Sequence, residues 1–156
     1  MKRHRIPPRP GWRQTVEQQG LFWHSQNGQP YWDESVAWEF TAEEIDRLEA
    51  CAAEWHLMCM DAAGQIVRNG WWRDVGISPE HVPLITRSWE SQEFSLYGRF
   101  DAVIDETGQP KLLEYNADTP TSLLEASVVQ WHWLEATRSR GDQFNSIHER
   151  LIAAWK

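Results

Sequence analysis

Two stretches in the second half of the chain carry the residue types that bind metal ions and phosphate. Residues 96–104 alternate between apolar and polar side chains, which predicts a β-strand, and residues 111–118 predict a second strand. The Asp-Glu-Thr-Gly-Gln-Pro run between them is typical of a turn. The sequence therefore predicts a hairpin with acids, an amide and a guanidinium on its two strands.

The spacing of these side chains predicts that they meet. A turn centred on residues 107–108 would place Asp101 opposite Glu114, and the same register would place Arg99 opposite Asn116. Directly opposed residues have Cβ atoms about 5 Å apart on one face of a sheet. Oxygen ligands without His or Cys favour Mg²⁺ over zinc, and a guanidinium suits phosphate or carboxylate. A surface hairpin in which Arg99 simply pairs with an acid fits the spacing equally well.

The segment after the second strand is rich in hydroxyl side chains and leads into a predicted helix that reaches about residue 138. Thr119 with Pro120, or a capping box from Ser122 to Glu125, can begin this helix. Either start would point free backbone N–H groups at whatever the hairpin binds, which suits an anionic substrate. Ordinary helix capping explains the same hydroxyls.

Several elements are predicted to support this hairpin. A capping box of Thr41 and Glu44 predicts a helix to about residue 68. Its apolar residues recur at intervals of three and four, at Ile45, Leu48, Ala52, Trp55, Cys59, Ala62 and Ile66. Shorter helices are predicted at 11–19 and 78–90, with a hairpin turn at Asn27-Gly28. Hairpins beside helices without strict alternation predict an α+β (mixed α/β) fold.

Composition excludes several classes of protein. The chain has 156 residues and a net charge of −8, which argues against a nucleic-acid partner. An apolar run long enough to cross a membrane and a signal-peptide pattern are both absent from the sequence. Cys51 and Cys59 lie too far apart on the predicted helix to form a disulfide, so we expect reduced thiols in a cytoplasmic protein. The first thirteen residues contain five basic side chains and no acid, which predicts a loosely held basic arm. The eleven tryptophans favour packing over sugar binding.

Residues 97–101 (YGRFD) and 111–125 (KLLEYNADTPTSLLE) closely resemble the glutathionylspermidine synthase family, whose members are ATP-grasp carbon–nitrogen ligases. The resemblance extends upstream to PYW at 30–32, EFT at 39–41, HLMC at 56–59 and RSWE at 87–90. It therefore covers nearly the whole chain. It implies the domain that precedes an ATP-grasp fold, together with the first metal-binding hairpin.

The resemblance also implies roles for individual residues. The Mg²⁺ ligands would be Asp101, Glu114 and Asn116. Arg99 would contact the nucleotide phosphates and act as the catalytic residue. Arg99 and Asp101 would together bind the cofactors, ATP and Mg²⁺. A glutathione-like substrate would bind Thr119 and Thr121. The implied reaction uses Mg²⁺ and ATP to convert a carboxylate to an acyl phosphate, which an amine then attacks.

The chain departs from the family in its length and in its lysines. ATP-grasp enzymes hold the phosphates with lysines from a later part of the sequence, and this chain has lysines only at positions 2, 111 and 156. We therefore expect a basic arm and short helix over 1–20, and over 21–156 the N-terminal part of a synthetase-like domain, truncated at its C-terminus. ATP would bind only where the rest of the ATP-grasp fold is present, for example from a second chain.

Three functional interpretations remain open at this point. The first is part of an amide-forming ligase, inactive alone. The second is a non-catalytic metal- or peptide-binding module that has kept the substrate site. The third is a carbohydrate enzyme that uses Asp101 and Glu114 as acid and base. The third ranks last because it leaves Asn116 and the hydroxyl-rich helix start without a role.

Overall fold

A computed structural model describes residues 1–118, 120–137 and 141–156, and it has the mixed α+β character that the sequence predicts. The strands are β1 (Lys2–Arg5), β2 (Ser25–Gln26), β3 (Gln29–Pro30), β4 (Val36–Glu39), β5 (Arg99–Ile104) and β6 (Pro110–Asn116). The helices are α1 (Trp12–Gln18), α2 (Ala42–Asn69), α3 (Val82–Glu90), a π-helical segment (Glu125–Val129), α4 (Gln130–Thr137) and α5 (Ile147–Ala154). Within the described part of the chain, no helix is both long and apolar enough to cross a membrane.

The chain divides into two compact units, which are described separately below. Unit 1 comprises Met1–Ile45 and Asp118–Lys156, and unit 2 comprises Asp46–Ala117. The domain division predicted from the sequence, residues 1–20 and 21–156, stays a prediction.

The basic N-terminus belongs to a sheet in unit 1, so the prediction of a loosely held arm is wrong for these residues. β1 pairs antiparallel with β4, and the backbone N–H of Ile6 continues the pairing by donating to the carbonyl of Ser35 at 3.0 Å. Basic side chains on β1 are compatible with a strand because they point into solvent from an exposed edge. The Asn27-Gly28 turn is as predicted: both residues have positive φ, 50° and 78°, and they join β2 to β3.

Arg9 and Glu34 form a buried ion pair in unit 1. The Glu34 side chain is fully buried, and its Oε1 accepts a hydrogen bond from Nη2 of Arg9 at 2.5 Å. Nε of Arg9 donates to Oε2 at 3.0 Å, and Nε1 of Trp32 donates to Oε1 at 3.2 Å. Burial opposes the charged form of Glu34, but these hydrogen bonds outweigh it and leave the pKa of Glu34 below its ordinary value. Because Arg9 is paired with Glu34, its positive charge is not available to an anionic partner.

An apolar cluster next to this ion pair forms the core of unit 1. Its buried members are Val16 from α1, Leu21 and Val129, and the side chains packed against them are Trp12, Trp32 and Leu124. Val16 and Val129 have no exposed surface. The core therefore joins α1 to the π-helical segment, which are distant in sequence, within one unit.

Helix α2 confirms the predicted capping box. The backbone N–H of Glu44 donates to Oγ1 of Thr41 at 3.2 Å, and the backbone N–H of Thr41 donates to Oε2 of Glu44 at 2.9 Å. The predicted apolar stripe is only half-buried, and the buried residue of the helix is Gly64. A Cβ at Gly64 would lie 3.1 Å from Cζ2 of Trp89, so the small residue leaves room for α3.

Strands β5 and β6 form the predicted antiparallel hairpin in unit 2, with the predicted register at the polar residues. Arg99 pairs with Asn116, and Asp101 pairs with Glu114. Between Asp101 and Ala102 the register shifts, because Ala102 pairs with Leu112 and the intervening Leu113 forms a β-bulge. The strand predicted from residue 96 begins instead at Arg99, and the second strand ends at Asn116.

Aromatic rings hold the hairpin against α2. The ring of Phe100 stacks on Tyr115 with centroids 4.2 Å apart, and it meets Trp55 of α2 edge-on at 5.8 Å. At the turn, Nη1 of Arg47 donates to the carbonyl of Gly108 at 2.9 Å. The long helix thus supports the hairpin at two separate points.

Candidate functional site

The polar face of the hairpin brings together four of the predicted site residues. Arg99 and Asp101 lie two residues apart on β5, and Glu114 and Asn116 lie directly opposite them on β6. Alternation along each strand puts Phe100 and Tyr115 on the other face, so the four polar side chains share one face. The local sequence produces this arrangement because polar and aromatic residues alternate in register on both strands.

Arg99 and Asp101 form a two-pronged ion pair. Nε of Arg99 donates to Oδ1 of Asp101 at 2.7 Å, and Nη2 donates to Oδ2 at 3.1 Å. These hydrogen bonds hold the pKa of Asp101 below its ordinary value and raise that of Arg99. Such a pair is also expected of the alternative interpretation, a surface hairpin in which Arg99 simply pairs with an acid. The ion pair keeps Asp101 ionised, which is the form that a cation needs.

The donor set fits a hard cation such as Mg²⁺. It offers two carboxylates and a carboxamide, which are the oxygen ligands that Mg²⁺ prefers. Within the described part of the chain, Nδ2 of Asn116 is buried without a hydrogen-bond partner. A half-turn of the amide would exchange its N and O atoms and bring Oδ1, a metal ligand, to that place. In the described residues, no group of three or more His, Cys, Asp or Glu could hold a metal, so Asn116 is essential to this assignment.

The structure describes one of the two residues predicted to bind the substrate. Thr119 lies outside the described residues. Thr121 is exposed and belongs to unit 1, whereas the hairpin residues belong to unit 2. The role of both threonines in substrate binding stays a prediction.

The helix after this segment begins differently from the sequence-based expectation. Helical residues start at Leu123, and Ser122 has a φ of +70°, a backbone conformation that serine rarely adopts. The capping box predicted at Ser122 and Glu125 is wrong, because Glu125 instead accepts a hydrogen bond from the hydroxyl of Tyr31 at 2.8 Å. The segment Glu125–Val129 is π-helical, a form that occurs often at functional sites.

Sequence reasoning missed Tyr31 as a contact of the hydroxyl-rich segment. Its hydroxyl lies 2.8 Å from Oε1 of Glu125 and 3.4 Å from Oγ of Ser122, and all three residues belong to unit 1. The contact spans more than ninety residues, so no local pattern predicts it. The PYW motif at 30–32 was noted only as part of the family resemblance.

Comparison with known proteins identifies relatives of this sequence. The model of the glutathionylspermidine synthase pre-ATP-grasp family matches residues 3–156. A putative acid–amine ligase from Haemophilus influenzae is 46% identical over 152 residues, covering 94% of this chain and 38% of that protein. Trypanothione synthetase from Crithidia fasciculata is 32% identical over 123 residues, covering 67% of this chain and 19% of that protein.

A bifunctional glutathionylspermidine synthetase/amidase from Escherichia coli is 30% identical over 108 residues, covering 66% of this chain and 17% of that protein. The chain thus spans less than two fifths of the length of each of these relatives. The family match covers the N-terminal strand, the long helix and the polar hairpin. The chain belongs to the glutathionylspermidine synthase pre-ATP-grasp family.

Proposed function

We propose that this chain supplies the metal-binding and acid-binding part of an ATP-dependent ligase that joins a carboxylic acid to an amine. The observation that carries the proposal is the hairpin register, which places Arg99 and Asp101 opposite Asn116 and Glu114 on one polar face. Family membership supports the same class of reaction, since the H. influenzae relative is described as an acid–amine ligase.

The reaction would proceed in two steps. An oxygen of the acid substrate attacks the terminal phosphorus of ATP, which gives an acyl phosphate and ADP. The amine nitrogen then attacks the acyl carbon, loses a proton and expels phosphate, which leaves an amide. Both steps build negative charge on phosphate oxygens, so fixed positive charge at those oxygens lowers the barrier.

The hairpin residues would take defined roles in this reaction. Asp101, Glu114 and Asn116 would hold Mg²⁺, which when bound neutralises phosphate charge. The guanidinium of Arg99 would bind a phosphate oxygen, for which its fork of N–H groups is suited. In the structure Asp101 accepts hydrogen bonds from those same N–H groups. We propose that Arg99 gives up this pairing when its guanidinium binds phosphate, which would leave the Asp101 carboxylate available to Mg²⁺.

The acid substrate is proposed to be glutathione-like and to bind Thr119 and Thr121. The names of two relatives, a trypanothione synthetase and a glutathionylspermidine synthetase, support a thiol-peptide acid and a polyamine as the substrate classes. The hydrogen bond between Tyr31 and Glu125 would help to fix the chain close to Thr121. The bond between them holds the start of the π-helical segment beside the strained Ser122.

ATP binding is proposed to need further protein. The chain corresponds to 38% of the H. influenzae relative, and its lysines lie at positions 2, 111 and 156. A longer chain or a second chain would supply the lysines that hold the phosphates in ATP-grasp enzymes. We therefore propose that residues 1–156 alone do not complete a catalytic cycle.

Thermal unfolding with Mg²⁺, ATP and glutathione, singly and together, tests this proposal. Mg²⁺ at ten times its Kd should stabilise the wild-type chain by about 1.4 kcal/mol. Asp101→Asn and Glu114→Gln should lose that stabilisation, and Glu106→Gln, which alters an exposed acid in the same hairpin turn, should keep it. Full Mg²⁺ stabilisation in both site variants would disprove the metal assignment.

The other two ligands separate the possible functions. Stabilisation by glutathione without any by ATP supports a substrate-side part of a ligase. Stabilisation that requires Mg²⁺ and ATP together would show that the chain, or a dimer of it, already builds the nucleotide site. A fusion of this chain to the ATP-binding part of a relative gives a further test. If the fusion binds ATP and glutathione but forms no amide, a non-catalytic binding module becomes the better description.

A further inference from the structure

The aromatic face of the hairpin contains a contact that is too close for any residue except glycine. A Cβ built on Gly98 would lie 2.7 Å from Cε2 and 2.9 Å from the hydroxyl oxygen of Tyr115. Gly98 is not among the glycines with positive φ, so its backbone conformation would accept an ordinary residue. Space for the Tyr115 ring, rather than backbone freedom, explains the glycine.

The ring that Gly98 accommodates is fixed on its other side as well. Tyr115 stacks on Phe100 with an interplanar angle of 26°, and Phe100 in turn contacts Trp55 of α2. An aromatic ring has no flexible end that could fold away from an added methyl group. The ring of Tyr115 therefore lies between Phe100 and the backbone of Gly98.

Tyr115 lies between two of the proposed metal ligands in sequence. Glu114 and Asn116 flank it on β6, and their side chains leave the strand on the opposite face. The bulge at Leu113 interrupts the regular ladder directly before Glu114, so strand pairing alone holds this segment less firmly. The packed ring of Tyr115 adds a constraint on the strand where Glu114 and Asn116 leave it.

We propose that Gly98 and Tyr115 form a positioning pair, in which the ring seated over the glycine sets the orientation of Glu114 and Asn116 for a divalent cation. This inference rests on the proposed metal-binding function. It predicts that the two residues act as one unit. An added methyl group at position 98 does harm only because the ring of residue 115 is there.

A double-mutant cycle with Mn²⁺ as the probe tests the pair. Mn²⁺ accepts the same oxygen ligands as Mg²⁺, and its binding can be followed by electron paramagnetic resonance. Gly98→Ala and Tyr115→Ala should each weaken Mn²⁺ binding about tenfold or more, the size of effect known for residues that orient metal ligands. Gly98→Ala introduced into Tyr115→Ala should cause no further loss.

Two controls separate positioning from general damage. Tyr115→Phe keeps the ring and should bind Mn²⁺ like the wild type. Leu113→Ala truncates an exposed neighbour of Glu114 that does not belong to the aromatic stack, and it should also bind normally. Near-ultraviolet circular dichroism checks that each variant retains packed aromatic residues.

The outcomes distinguish this inference from the function on which it rests. If wild type binds no Mn²⁺, or Asp101→Asn and Glu114→Gln bind it fully, the proposed metal site fails. If the wild type binds and those variants do not, but folded Gly98→Ala and Tyr115→Ala both bind normally, the positioning pair is wrong. Additive losses in the double variant also overturn it. Should Gly98→Ala not fold, wild-type binding by Tyr115→Ala would still refute the inference.

Discussion

Units 1 and 2 are stabilised by different interactions. The buried hydrophobic side chains Val16, Leu21, Val129 and Leu134 all belong to unit 1, as does the ion pair of Arg9 with Glu34. Unit 2 has Gly64 and Pro110 as its buried residues, and its hairpin rests on half-buried aromatic rings. The proposed metal ligands lie in the less buried unit. This difference predicts that substitutions can damage stability and metal binding separately.

Breaking the ion pair of unit 1 should have the largest effect on stability. Arg9→Ala leaves the buried Glu34 carboxylate without its cation, which should lower the free energy of unfolding by about 3–5 kcal/mol. Urea denaturation followed by circular dichroism measures the loss. Arg5→Ala, which removes an exposed cation from β1, should change stability by less than about 0.5 kcal/mol. Equal losses of stability in the two variants would show that the buried ion pair contributes no more to stability than an exposed cation does.

Removing the aromatic support of unit 2 should have the next largest effect. Trp55→Ala loses the edge-on contact with Phe100 and the half-buried area of the indole, about 2–3 kcal/mol in total. A fully buried tryptophan would cost about 3–5 kcal/mol, so partial burial lowers the expectation. Calorimetry measures the change, and Trp23→Ala, which truncates a side chain that is 82% exposed, is the control. A loss as small as that of the control would mean that the contact of Trp55 with Phe100 does not stabilise the hairpin.

A single hydrogen bond in unit 1 should matter less. Tyr31→Phe removes the bond from the hydroxyl to Glu125, which should cost about 0.5–1.5 kcal/mol. If the hydroxyl-rich segment binds glutathione as proposed, isothermal titration should also show weaker glutathione binding. Tyr115→Phe makes the same chemical change in unit 2, where it should leave glutathione binding unchanged. Identical glutathione affinities for wild type and Tyr31→Phe would remove Tyr31 from the substrate site.

The elements with strong local signals were predicted closely. The capping box of Thr41 and Glu44 begins α2 within one residue of the prediction, and the Asn27-Gly28 turn forms as expected. In both cases a side chain or a backbone preference acts within four residues, so the sequence contains the whole cause. The register at Arg99 and Asp101 was also predicted, although the reason given for it was incomplete.

The turn of the hairpin shows why that reason was incomplete. A turn centred on residues 107–108 predicts Ala102 opposite Leu113, but Ala102 pairs with Leu112. The bulge at Leu113 compensates for the shift and restores the pairing of Asp101 with Glu114. No residue type in the sequence marks a bulge at a leucine. The predicted register was correct at Asp101 and Glu114 because the one-residue difference near the turn and the one-residue bulge cancel.

Long-range contacts were the part that the sequence could not predict. The pairing of β1 with β4 and the bond from Tyr31 to Glu125 join residues more than thirty positions apart. Their existence depends on how several elements pack together, for which no local pattern exists. Gly98 did carry a signal, because an isolated glycine in a strand pattern indicates a close approach of another group.

The turn of the hairpin should show the smallest effect, and only at acidic pH. Oδ1 of Asp105 accepts hydrogen bonds from the hydroxyl of Thr107 at 2.6 Å and from the backbone N–H of Gln109 at 2.9 Å, which lowers the pKa of Asp105 to about 2. Because the folded pKa lies below the ordinary value of 3.8, the stabilisation is fully present above about pH 4 and is lost as the pH falls through about 2. Asp105→Asn should therefore flatten the pH dependence of stability between these values, as measured by urea denaturation at a series of pH values. Glu106→Gln, which alters the neighbouring exposed acid, should leave that dependence as in the wild type. If Asp105→Asn and the wild type lose stability in parallel on acidification, the turn is held by hydrogen bonds between backbone groups rather than by the Asp105 carboxylate.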